Sequence, residues 1–68
     1  MGADMRWVKN DPHSYVSDDG RYQVWNLYGD RGHYEARRRR DHRDGPGEVG
    51  NYQSLQDAMQ ACEADARK

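Results

Sequence analysis

Residues 17–27 read Ser-Asp-Asp-Gly-Arg-Tyr-Gln-Val-Trp-Asn-Leu, and the reading of this stretch decides the fold. Asp18-Asp19-Gly20 is a turn signal, because Gly20 accepts a positive φ at no steric cost and an aspartate can bond backbone donors just ahead of it. The residues that follow alternate. Tyr22 and Val24 share one face, while Gln23, Trp25 and Leu27 share the other, which is the period of a half-buried strand. A strand leaving a tight turn needs an antiparallel partner before it, and residues 13–17, around Tyr15 and Val16, supply one.

Working outward, residues 7–9 form a short strand that Asn10-Asp11-Pro12 breaks, since Pro12 lacks a backbone donor and restricts its predecessor. Gly29-Asp30-Arg31-Gly32 is a second turn. A returning strand over 33–39 then has Tyr34 and Ala36 on one face and His33, Glu35 and Arg37 opposite. Residues 41–47, with two Gly, one Pro, three charged residues and His42, read as a loop, mobile over 40–47. Residues 48–52 add a short edge strand. A helix follows over about 54–67: the Ser54 hydroxyl caps it, with Asp57 three residues on. Leu55, Ala58, Met59, Cys62 and Ala66 make its apolar stripe, and Gln56, Gln60, Glu63 and Asp65 lie off it.

The expected class is therefore α+β, one domain over 1–68 with a flexible 1–5: an antiparallel meander of three to four strands packed on one carboxy-terminal helix. Tyr22, Val24, Tyr34 and Ala36 form the inward set, closed at an edge by Trp7 or Tyr52. Trp25, Leu27, His33, Glu35, Arg37 and Arg39 then face outward. The reverse register, which a slip of one residue would produce, puts Trp25 and Leu27 in the core instead.

Sixty-eight residues support one thin core. Hydrophobic and charged residues each make up 34% of the chain, so two Trp and five Tyr have to anchor that core. Cys62 is the only cysteine, which excludes an internal disulfide and a cysteine-built zinc site. No stretch resembles a signal peptide or a membrane span, so the expected location is a reducing cytoplasm. His13, His33 and His42 show no metal-ligand spacing and read as surface titrating groups, and no serine sits in a nucleophile motif. The expectation is a non-enzyme with no cofactor, no metal and no small-molecule substrate.

Charge is unevenly placed. The net charge is −1, yet residues 21–43 carry +4, seven Arg against Asp30, Glu35 and Asp41, while both flanks are acidic. An Arg-rich surface beside an exposed Trp fits a partner that offers carboxylates or phosphates, because guanidinium forks grip both in pairs of hydrogen bonds. The candidate contact residues are Trp25, Arg37, Arg38, Arg39, Arg40 and Arg43.

Two resemblances bear on that surface. The run SDDGRYQVW…GHYEARR…GEVGNYQSLQDAMQACEADA, over about residues 14–66, is similar to a recurrent layout of small bacteriophage and prophage proteins. Some of these, anti-CRISPR proteins among them, act by blocking host defence or transcription complexes. The resemblance implies an accessory protein in the host cytoplasm that binds and inhibits or modulates a host protein or nucleoprotein complex. The order of strands and helix also resembles the AP2-type domains of plant transcription factors and the arm-binding domains of tyrosine integrases. That likeness implies a DNA-binding alternative in which Arg21, Trp25, Arg37 and Arg39 read the major groove. Glu35 on the same face, the acidic helix and the −1 total depart from that pattern, since phosphate contacts supply most of the affinity for DNA.

Overall fold

Turn chemistry sets the meander. In the computed structural model, which describes residues 5–27 and 32–67, Gly20 has φ +77. Asp19 Oδ1 accepts from the Ser17 hydroxyl at 2.6 Å and from the Arg21 amide at 3.0 Å. Asp11 does the same one turn earlier, accepting from the His13 amide at 2.8 Å. Both are short acidic side chains bonding the backbone two residues on. The second turn expected over Gly29–Gly32 lies, apart from Gly32, outside the described residues, as do Met1–Asp4 of the flexible terminus and Arg31.

The strands are β1 (Trp7–Asp11), β2 (Ser14–Ser17), β3 (Tyr22–Asn26), β4 (Tyr34–Arg38) and β5 (Gly47–Tyr52), followed by α1 (Leu55–Ala66). They form one antiparallel sheet in the order β1-β2-β3-β4-β5. The class is α+β, but the expected three to four strands are five. The undercount came from requiring one helix to cover the sheet. Twelve helical residues span only about 18 Å, and α1 packs on β3, β4 and β5, so the β1–β2 hairpin extends the sheet beyond its cover.

Cross-strand pairs share a face, and the register makes the sidedness plain. Tyr15 pairs with Val24, Val24 with Ala36, and Ala36 with Gly50, forming a row on the face of the sheet that carries the helix. Tyr22, Val24, Ala36, Ala58 and Cys62 are fully buried, with Met5, Trp7, Tyr34, Val49, Tyr52, Leu55 and Met59 packed around them. The inward set is Tyr22 and Val24, so the reverse register does not occur. Gly50 is required by a neighbour: a Cβ there would stand 2.6 Å from the Tyr52 hydroxyl, whose ring lies over it.

The helix begins as its sequence dictates. Ser54 is extended, and its Oγ accepts from the Asp57 amide at 3.1 Å. Its buried face is rotated from the expected stripe, however. Ala58, Cys62 and Asp65 are buried and Ala66 is exposed, so Asp65 points inward, contrary to its assigned place off the stripe.

Two substitutions test this account. Ser54→Ala removes a cap worth about 1 kcal/mol, which lowers the melting temperature by about 4–8 °C in a domain of this size. Gly50→Ala displaces the Tyr52 ring and costs about 1–3 kcal/mol, the scale of overpacking. Thermal melts of both variants check the order.

Candidate functional site

Asp65 meets three partners beneath the sheet. Arg38 donates to it twice, Nε to Oδ2 at 2.9 Å and Nη2 to Oδ1 at 2.7 Å. The Tyr22 hydroxyl donates to Oδ2 at 2.7 Å. The Asp44 amide donates to His42 Nδ1 at 3.0 Å, so the proton of the neutral ring sits on Nε2 and points to Tyr22 Oη, 2.8 Å away. The Tyr22 and His42 rings meet edge to face at 5.0 Å. Proton by proton, the chain runs from His42 to Tyr22 to Asp65, and Arg38 closes it with charge.

This arrangement corrects two expectations. His42 is 6% exposed, so it lies in the interior and not on the surface. Arg38 lies in the inner row opposite Tyr22, with its guanidinium committed to Asp65, so it is a structural cation. The missed signal was present in the sequence, because Asp65 follows Ala58 by seven residues and Cys62 by three, on one helical face. The Arg38 charge-assisted bonds hold the Asp65 carboxyl at about 2, against burial, which pushes the other way; the Tyr22 hydrogen bond adds to the lowering. Burial, followed by the bond to Asp65, raises the Tyr22 phenol above its usual range. The Cys62 thiol is pushed up to about 12, first by burial and then by the charges of Asp65 and Glu63, which makes it a poor nucleophile. Among the described residues no cluster of three or more His, Cys, Asp or Glu is placed to hold a metal ion. No helix among them is long and apolar enough to cross a membrane.

The other face of the sheet carries no helix. Its rows run Arg21–Arg39, then Val8–Val16–Gln23–Arg37–Glu48, then Asp11–Ser14–Trp25–Glu35–Asn51. At its β3–β4 end an open groove of about 740 Å³ is lined by Gln23, Trp25, Arg37, Arg38, Arg39, Arg40, Asp41 and Pro46. Five of the six candidate residues therefore meet in one concavity. Arg43 does not line it; its Nε lies 3.5 Å from Asp44 Oδ2 in the following loop. Trp25 is half-buried rather than fully exposed, and Ser14 opposite it is completely covered.

The arginines of the groove differ in commitment. Arg37 Nη1 is 3.8 Å from Glu35 Oε1, a loose contact between side chains 48% and 19% exposed that leaves most of its donors unused. Arg39 and Arg40 are exposed and make no side-chain ion pair among the described residues. The loop expected over 40–47 is built as turns around buried His42: its amide donates to the Arg39 carbonyl at 3.0 Å, and Gly45 donates to the His42 carbonyl at 2.8 Å. Comparison with protein-family models, curated proteins and solved structures found no match to this chain.

The buried carboxylate has a pH signature. The folded-state pKa of Asp65, about 2, lies below its ordinary value of 3.8. Its stabilisation is therefore complete above about pH 4 and is lost as pH falls toward 2, amounting to about 2 kcal/mol. Asp65→Asn is expected to lower stability at neutral pH by about that amount or more, since it strands Arg38. It should also flatten the acid limb between pH 4 and 2, as read by denaturant melts across pH.

Proposed function

We propose that this chain is a non-enzymatic binding protein that docks its helix-free sheet face on an anionic surface of a macromolecular complex. One observation carries the reading: a single open groove unites the Trp25 indole with Arg37, Arg39 and Arg40. An aromatic anchor ringed by guanidinium groups is the composition of a binding hot spot. The groove is shallow and open, and neither a nucleophile nor an acid–base pair faces it, so its chemistry suits recognition rather than turnover. Carboxylate clusters on a protein, or a surface that normally holds nucleic acid, present the acceptors that paired guanidinium donors require. In the phage-type reading the partner is a host protein or nucleoprotein complex, a defence complex such as a CRISPR effector being one case, and the outcome of binding is inhibition or modulation.

The alternative, a DNA-binding module, draws support from the placing of Arg21, Arg39, Arg37 and Trp25 in successive rows of the outer face. Glu35 beside Trp25, Asp41 in the groove wall and the net charge of −1 count against it, because they oppose the counterion release that drives affinity for duplex DNA.

The decisive measurement is paired. Wild-type protein titrated with plain duplex DNA near physiological salt is expected to bind weakly or not at all; low-micromolar, salt-sensitive binding would favour the alternative. Capture from host lysate should be strong for the wild type and lost on Trp25→Ala, with an affinity cost of about 2 kcal/mol or more and a stability cost below the roughly 3–5 kcal/mol of a fully buried Trp. Arg39→Ala should weaken capture and flatten its salt dependence while leaving the melt unchanged. Equal capture by all three proteins would end the assignment of this groove.

A further inference from the structure

β1 is an edge strand, and its free side has a definite hydrogen-bonding pattern. The Asp18 amide donates to the Arg6 carbonyl at 2.8 Å, and Val8 pairs with Val16. In an antiparallel ladder the backbone groups of alternate residues point to the same neighbour. The amides and carbonyls of Arg6 and Val8 therefore face β2, and those of Trp7 and Lys9 face away from the sheet. Among the described residues nothing pairs with them. Val8, between them, is the large hydrophobic residue exposed on this surface, at 58%.

We infer that β1 joins β1 of a second copy of this chain, antiparallel, about a twofold axis through Val8. The register follows from the free groups. Trp7 and Lys9 of one copy exchange both bonds with Lys9 and Trp7 of the other, giving four backbone hydrogen bonds. Val8 then faces its own counterpart in a non-hydrogen-bonded pair, the arrangement in which opposing side chains approach most closely. Complementarity extends to the flanks. Arg6 on the outer face meets Asn10 and Asp11, where the irregularity between Lys9 and Asp11 doubles the strand. Trp7 on the helix side meets Lys9, a cation over an indole. A shift of two residues loses the Val8 pair, and a shift of one puts opposing side chains on different faces.

The pairing has a consequence for the groove, although it does not depend on what the groove binds. A twofold axis perpendicular to a continuous sheet places both outer faces on the same side. The two β3 strands are then five strand spacings, about 24 Å, apart, and the two Trp25 grooves are further apart still, because Trp25 lies two residues along the strand from the row on the axis. A dimer of this kind would engage an extended partner at two points.

Five paired residues make a small interface, so the expected dimer is weak, dissociating in the range of about 10–100 µM. Sedimentation equilibrium of the full chain from about 1 µM to about 1 mM brackets that range. Wild type is expected to pass from monomer to dimer. Val8→Lys and Val8→Glu each place like charges on the axis and should raise the dissociation constant at least about tenfold, with melts of the dilute monomer unchanged. Mixing the two variants should restore a heterodimer, which a merely damaged fold would not do. A wild type that stays monomeric at the highest concentration overturns the inference. So does a Val8→Lys protein that dimerises like the wild type, or a mixture that fails to associate.

Discussion

The Asp65 carboxylate is the constraint on which the rest of the structure depends. It is 8% exposed and ionised, and an isolated charge in that position would be prohibitive. Each of its partners comes from a different part of the chain: Tyr22 from β3, Arg38 from the end of β4, and His42 from the loop beyond, through Tyr22. The apolar core beneath consists of five fully buried residues, none larger than Tyr22. A core that small fixes the contact of helix and sheet only loosely, and hydrophobic burial alone is indifferent to small rotations of α1. The bidentate Arg38 pair is not indifferent, because its two bonds set both the depth and the rotation of the helix. A buried pair of this kind adds little net stability over an apolar replacement, and its value here lies in specifying one packing.

That specification reaches the outer face. His42 is held by Tyr22 on one ring nitrogen and holds the Asp44 amide on the other, so the loop between β4 and β5 is anchored from below. Arg39 and Arg40 leave β4 into that anchored loop, and their backbone starts from a fixed point although their guanidinium groups are solvated. The interior polar cluster and the exterior groove thus lie on opposite faces of the same end of β4. Arg38 belongs to both, so disturbing its bonds to Asp65 would also disturb the groove that it lines.

The sequence made the local devices legible and the long-range ones obscure. The Asp18-Asp19-Gly20 turn, the alternation of residues 22–27, the sidedness of Tyr22 and Val24 and the Ser54 cap all depend on neighbours within four residues. They follow from dihedral preference and periodicity. Each of the five strand segments was legible locally, but the total of three to four rested on a global judgement about how much sheet one helix covers, and it came out one or two short. Asp65 and His42 were assigned to solvent because each is polar, and the groups that satisfy them lie far along the chain: Arg38 is 27 residues from Asp65, and Tyr22 is 20 from His42. A buried charge can be read from one sequence only if its counter-charge is near, and here neither was. The outward placing of Trp25 and Arg37 was legible, because it follows from strand period alone.

The arginine run shows how one composition serves two ends. Residues 37–40 are chemically identical, but a strand sends successive side chains to opposite faces. Arg37 goes out beside Gln23, Arg38 goes in to Asp65, and Arg39 goes out again beside Arg21. Reading the run as a single basic patch therefore overcounts it, since one of its charges is neutralised beneath the sheet and a second is partly engaged by Glu35. The groove offers Arg39 and Arg40 outright and Arg37 in part. Such a surface has few charges at defined positions, set against an indole. In the proposed reading its selectivity would come from where those donors point rather than from the strength of its field, and a patterned anionic surface would suit it better than a uniform polyanion.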